Sequence, residues 1–128
     1  MERTKVESRQ VALAEDDDDL RSLLATTLRR AGYRVREFSS GSQLLRTLAP
    51  SAPGVDLVIA DIRMPGVSGL EVLAKLHGER EPVPVVLMTA FSDRVTHDKA
   101  LELGAAALID KPFDLDELLS LAERLTAH

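Results

Sequence analysis

Five positions in this 128-residue chain carry side chains that together suit phosphoryl transfer to a carboxylate. They are the acids Glu15, Asp16 and Asp61, the hydroxyl of Thr89 and the ammonium of Lys111. Two carboxylates about 4 Å apart repel by roughly 4 kcal/mol at an effective dielectric of about 20, so three brought together call for a cation. Oxygen ligands favour Mg²⁺, or Mn²⁺, over a soft metal. A free Asp, with a pKa near roughly 3.9, is already ionised at neutral pH and can act as a nucleophile without a general base. A bound metal would neutralise an incoming phosphoryl group and align it. Lys111 would supply a point charge to one phosphoryl oxygen, and Thr89 a hydrogen bond to another. Singly, each residue has a plainer reading. The acids Glu15 to Asp19 suit a helix N-terminus, Lys111 a loop, and Thr89 a strand end.

The elements around these positions explain why they should meet. Val11-Ala12-Leu13-Ala14 is a short apolar run that stops at Glu15, and Leu57-Val58-Ile59-Ala60 is another that stops at Asp61. Val83 to Thr89 reads as a β-branched strand, Ala105 to Ile109 as the last strand, and Tyr33 to Phe38 as a weaker one. Between them, leucines recur at helical spacing: Leu20, Leu23, Leu24 and Leu28, closed by Ala31-Gly32; Leu44, Leu45 and Leu48, broken by Pro50 to Gly54; and Leu70, Leu73 and Leu76. A more polar helix spans Asp93 to Leu103, closed by Gly104, and a terminal one spans Leu115 to Leu125 with Asp114 as its N-cap.

Five successive strand–helix units predict a parallel sheet in a doubly wound α/β sandwich. Three strands are nearly unbroken apolar runs, as strands covered on both faces should be. Open parallel sheets bind ligands outside the carboxyl ends of their strands. Glu15-Asp16, Asp61, Thr89 and Lys111 all fall there.

Composition narrows the function classes. The absence of Cys excludes disulfides, thiolate catalysis and Cys-based zinc sites. A net charge of -5 gives no support to direct nucleic-acid binding, and the Arg29-Arg30…Arg34…Arg36 group reads as a solvated edge. No apolar run approaches the roughly 18 residues of a membrane span, and no secretory segment opens the chain. The expectation is a soluble protein of a reducing cytoplasm, with residues 1–9 a flexible arm and residues 10–128 one domain. His77, His97 and His128 lack metal-ligand spacing and read as surface residues.

Three ordered motifs resemble the signatures of response-regulator receiver domains: Asp56 to Gly69 around Asp61, Val85 to Ala90 around Thr89, and Asp110-Lys111-Pro112-Phe113. The resemblance covers about Gln10 to Thr126. It implies a flavodoxin-like strand order 2-1-3-4-5, with Asp61 accepting a phosphoryl group from a sensor histidine kinase or phosphotransfer protein. It further implies Mg²⁺ held directly by Asp16, Asp61 and the backbone carbonyl of Arg63, and by Glu15 through water, with Asp17 the alternative if the register slips by one. Many relatives have Asp where this chain has Glu15. Pro65 and Gly69 would shape the loop, and the Lys111–Pro112 bond would be cis.

Such a domain is a switch rather than a turnover enzyme, with Mg²⁺-dependent self-phosphorylation from small phosphodonors and autodephosphorylation. Its fourth helix, fifth strand and fifth helix would control homodimerisation, an output domain or a partner, transcriptional regulation among the outputs. Leu108 stands where the family usually has an aromatic toggle, which puts the usual Thr–Tyr coupling in doubt. Among other functions, an aspartyl-phosphate phosphatase usually has a second Asp where Arg63 stands. A flavin-binding domain would want Ser, Thr or Gly where Glu15 to Asp19 would repel phosphate. A degenerate receiver used only for interaction would lack some of the five residues.

Overall fold

The computed structural model describes residues 9–48, 54–78, 83–90 and 93–127. Ten elements alternate along the chain: β1 (Gln10–Ala14), α1 (Asp18–Arg30), β2 (Arg34–Phe38), α2 (Gly41–Leu48), β3 (Leu57–Asp61), α3 (Gly69–His77), β4 (Val85–Thr89), α4 (Arg94–Glu102), β5 (Ala107–Asp110) and α5 (Leu115–Thr126). All four strand pairings are parallel and the order is β2-β1-β3-β4-β5, as expected from the sequence. Among the described residues, no helix is long and apolar enough to cross a membrane.

The period of two along each central strand divides the core between the two faces of the sheet. Val11 and Leu13, Leu57 and Ile59, and Val86 and Met88 pack with Leu24, Leu28, Leu118 and Ala122 of α1 and α5. Ala12 and Ala14, Val58 and Ala60, and Val85 and Leu87 pack with Leu44, Leu48, Val72, Leu73, Leu76 and Ala100 of the other three helices. The twelve strand residues named here have no exposed surface. Leu108 lies partly buried against the second cluster, as a residue of the fifth strand packing inward.

Local chemistry fixes where helices begin. Asp17 caps α1 by accepting from the Leu20 N–H at 3.0 Å. Ser68 and Glu71 form a reciprocal capping box at α3, while Asp93 and Asp114 cap α4 and α5. Gly32 and Gly104 follow the ends of α1 and α4 at φ 103° and 93°, a region that favours glycine.

Several expectations shift: β4 begins at Val85 rather than Val83, and β5 spans Ala107–Asp110 rather than Ala105 to Ile109. β2 begins at Arg34 rather than Tyr33, because the Tyr33 N–H donates to the Leu28 carbonyl of α1 at 3.1 Å instead of joining the ladder; its ring is buried, with the hydroxyl 3.4 Å from that of Thr126. Arg9 does not belong to a loose arm. It is buried, and its Nη1 donates to Thr126 Oγ1 at 3.0 Å and pairs with Glu123 at 3.4 Å. Those partners on α5 satisfy Nη1 of the guanidinium, whereas its Nε is buried without a hydrogen-bond partner among the described residues. Residues 1–8, most of the Pro50 to Gly54 breaker and His128 lie outside the described residues.

Register brings the carboxyl ends of four strands to one edge. Ala14 lies opposite Ala60, Asp61 opposite Met88, and Thr89 opposite Asp110. The loop leaving β3 returns closely over it: the Gly69 N–H donates to the Ile62 carbonyl at 2.9 Å, and a Cβ on Gly69 would stand 2.5 Å from the Asp61 carbonyl oxygen. Main chain on both sides cannot yield cheaply. Gly69→Ala is therefore expected to destabilise the fold by about 1–3 kcal/mol. Gly78→Ala, where a Cβ meets nothing closer than 3.4 Å at a negative φ, should be neutral or stabilising by about 0.4–1 kcal/mol. Urea midpoints of the two variants check this; equal midpoints would contradict the close approach at Gly69.

Candidate functional site

Each side chain at the edge is placed by a strand that stops there. Glu15 follows β1 and is 1% exposed, and Asp61 ends β3 and is 5% exposed. Thr89 ends β4, also buried, and Lys111 follows β5. Asp16, on the turn into α1, is exposed. The Lys111–Pro112 bond is cis, as expected.

Lys111 joins the acids. Its Nζ donates to Glu15 Oε1 at 3.0 Å and forms an ion pair with Asp61 Oδ2. Its backbone N–H donates to the Thr89 carbonyl at 2.7 Å, tying the ends of β4 and β5 together. The second oxygen of each acid is held by main chain: Asp61 Oδ1 accepts from the Arg63 N–H at 2.9 Å, and Glu15 Oε2 from the Asp17 N–H at 3.1 Å. One carboxylate oxygen from each of Glu15, Asp16 and Asp61 lies within 4.8 Å of the others.

The electrostatics of this cluster are unbalanced. Burial, reinforced by the neighbouring Asp61, pushes the Glu15 carboxyl up to about 7 against the opposing pull of the Asp17 N–H and Lys111. Burial pulls Lys111 down, but its bonds to Asp61 and Glu15 outweigh this and hold it above the usual ammonium value. Of the three acids, Glu15 and Asp61 share the Lys111 ammonium while Asp16 stands beside them, and the atoms the acids offer a cation are all oxygen. This set fits a hard divalent cation, which Glu15, Asp16 and Asp61 could hold.

The structure thus brings together Glu15, Asp16, Asp61 and Lys111, with Thr89 beside them on β4. Arg63, expected to contribute its carbonyl, engages Asp61 through its N–H. Asp17 serves as the α1 cap and lies outside the group of three acids. Arg21 escaped the sequence reading: its Nη1 donates to the Glu15 carbonyl at 2.8 Å. Its placement one helical turn beyond Asp18, a partner of opposite charge, was the available signal. Of the histidines, His97 lies 3.3 Å from Asp110 and His77 packs beside Gly104; neither approaches the acids.

Comparisons with known proteins point to one family. The model of the response regulator receiver domain matches residues 11–123. The chain is 37% identical over 118 residues to the DNA-binding transcriptional regulator NtrC of Escherichia coli K12, covering 92% of this chain and 25% of that protein. It therefore spans about a quarter of the length of the curated relatives it matches. The non-phosphorylated HemR receiver domain from Leptospira biflexa superposes with a TM-score of 0.84 at 31% identity, covering 94% of this chain and 95% of that one. The response regulator TrrA from Thermotoga maritima, in complex with Mg²⁺ and beryllofluoride, superposes with a TM-score of 0.79 at 29% identity, covering 91% and 98%. With these motifs at the carboxyl ends of a five-stranded sheet of order 2-1-3-4-5, the chain belongs to the response regulator receiver domain family.

Proposed function

We propose that this domain accepts a phosphoryl group on Asp61 from the phosphohistidine of a sensor histidine kinase or phosphotransfer protein. The observation that carries the reading is the ammonium of Lys111 bridging two buried carboxylates beside a third. An Asp61 oxygen attacks phosphorus, the P–N bond to the donor imidazole breaks, and the acyl phosphate forms with the electron pair leaving on nitrogen. Lys111 then exchanges its pairing with the carboxylate for a phosphoryl oxygen, and the Thr89 hydroxyl donates to another. Asp16, Asp61 and the Arg63 carbonyl would hold Mg²⁺, or Mn²⁺, with Glu15 acting through water; the ion supplies charge neutralisation to the transferring group. TrrA binds Mg²⁺ and beryllofluoride within the same fold, which supports this assignment.

The acyl phosphate is a switch signal rather than a product released by an enzyme. The backbone bond from Lys111 to Thr89 joins the ends of β4 and β5, so a shift of either reaches the α4–β5–α5 face. That face would control homodimerisation, an output domain or a partner. The relationship to NtrC, a DNA-binding transcriptional regulator, favours transcription as the output, with the receiver itself not touching nucleic acid. Leu108 packs inward and cannot supply an aromatic toggle, so the linked ends of β4 and β5 carry the change instead. A cytoplasmic setting follows from this reading.

Two measurements test it. Incubation with Mg²⁺ and acetyl phosphate should add one phosphoryl group, seen by intact mass, in the wild type and none in Asp61→Ala. Lys111→Met should slow its formation by a factor of roughly 10² or more, the scale for losing one charged donor from a transition state. A phosphorylated Asp61→Ala protein would exclude Asp61 as the acceptor.

The second concerns pH. Because the folded value of Glu15 lies above its ordinary 4.5, the folded metal-free protein holds a proton that the unfolded chain releases. The associated stability is present below the ordinary value and is lost as pH rises through about 7. A cation must displace the same proton, so Mg²⁺ affinity should rise about tenfold between about pH 6 and about pH 8. Glu15→Gln should flatten this slope and raise the metal-free melting temperature on the alkaline side. Titrations at the two pH values check it; an equal slope in wild type and Glu15→Gln would contradict the assignment.

A further inference from the structure

The acidic turn is held from behind by Arg21, and we infer that Arg21 is a positioning residue for the cation site. This rests on the metal-binding reading of Glu15, Asp16 and Asp61. Arg21 lies in the first half of α1, and its side chain is 18% exposed. Its Nη1 donates to the Glu15 carbonyl at 2.8 Å, its Nη2 to Asp18 Oδ1 at 2.7 Å, and its Nε lies 3.7 Å from Glu37 Oε1 on β2. Glu37 is in turn held by Arg29, whose Nη1 donates to Glu37 Oε2 at 3.0 Å. The guanidinium is thus itself braced from two elements.

The consequence falls on one peptide unit. The carbonyl that Arg21 grips is that of Glu15, which belongs to the peptide joining Glu15 to Asp16. The N–H of Glu15 is fixed independently by the Phe38 carbonyl at 3.0 Å. With both backbone polar groups of Glu15 anchored to neighbours, the direction in which the chain delivers Asp16 is set. Asp16 is the exposed member of the three acids, with no burial of its own to fix it. Lysine could not substitute: its ammonium is a single point, whereas the planar fork reaches a carbonyl and two carboxylates at once. Arg21 touches neither the cation nor the phosphoryl group, and acts only through the turn.

The sign of the effect distinguishes positioning from charge. Removing a cation near a cation site should, by Coulomb's law alone, tighten Mg²⁺ binding. Loss of positioning should weaken it, on the scale of roughly 10-fold or more known for partners that orient metal ligands.

The test is a titration with Mg²⁺ alone, followed by the amide signals of Asp16 and Asp61 and by thermal shift, in wild type, Arg21→Ala, Arg21→Lys and Arg29→Ala. We expect weaker binding in both Arg21 variants, the loss in Arg21→Lys being the smaller. Arg29→Ala, which loses contacts to Glu37 and the Val35 carbonyl but leaves the Arg21 bond to Glu15 in place, should weaken binding less than Arg21→Ala does. Unchanged or tighter binding in the Arg21 variants, even with a lowered melting temperature, would overturn the inference. If Arg21→Ala does not fold, Arg21→Lys decides by the same criterion. A wild type that fails to bind Mg²⁺ would instead overturn the metal site on which the inference stands.

Discussion

Two buried carboxylates joined by one ammonium, with a third carboxylate beside them at the edge of the sheet, form the interaction on which the rest of this molecule depends. Burying Glu15 and Asp61 so close together costs free energy that Lys111 and two main-chain N–H groups offset only in part. The residual strain appears as a glutamate whose carboxyl is pushed up to about 7. A hydrophobic residue at either position would suit the fold better. Such an arrangement persists where function requires it, and its unmatched negative charge is what a divalent cation and a phosphoryl group would together resolve.

The scaffold makes that arrangement affordable. Strands β1, β3 and β4 are sealed on both faces, so their carboxyl ends are held rigidly in register and the acids cannot drift apart to relieve their repulsion. The close return of Gly69 over Asp61 and the grip of Arg21 on Glu15 brace the two loops from which the acids project. The packing behind the site contrasts with the surface of α4, where Val95 and Leu101 are 79% and 64% exposed.

Much of this was legible in the sequence because it rests on side-chain type. Apolar runs that end abruptly at Glu15, Asp61 and Thr89 announce both the buried strands and the edge where they stop, and strand–helix alternation fixes the parallel topology. What escaped rests on main-chain atoms or distant partners. Any residue can offer an N–H, so nothing in the type of Arg63 reveals that it donates to Asp61. Arg9 reads as solvent-facing until Thr126, at the far end of the chain, supplies its partner. Tyr33 continues the apolar pattern of β2, yet its N–H closes α1 by donating to the Leu28 carbonyl. Asp16 was legible as the member of the acidic cluster, but that its neighbour Asp17 caps α1 was not, since any of five consecutive acids could do so.

The central claim is that separate strand ends form one pocket in which Asp61 takes up a phosphoryl group beside a divalent cation. Amide spectra recorded with Mg²⁺, before and after adding beryllofluoride as a phosphoryl mimic, test it most directly. The account predicts concerted shifts at Asp61, Thr89 and Lys111 that extend into α4 and β5 and vanish in Asp61→Ala. Spectra unmoved by beryllofluoride in the presence of Mg²⁺, or equal shifts without Asp61, would contradict it.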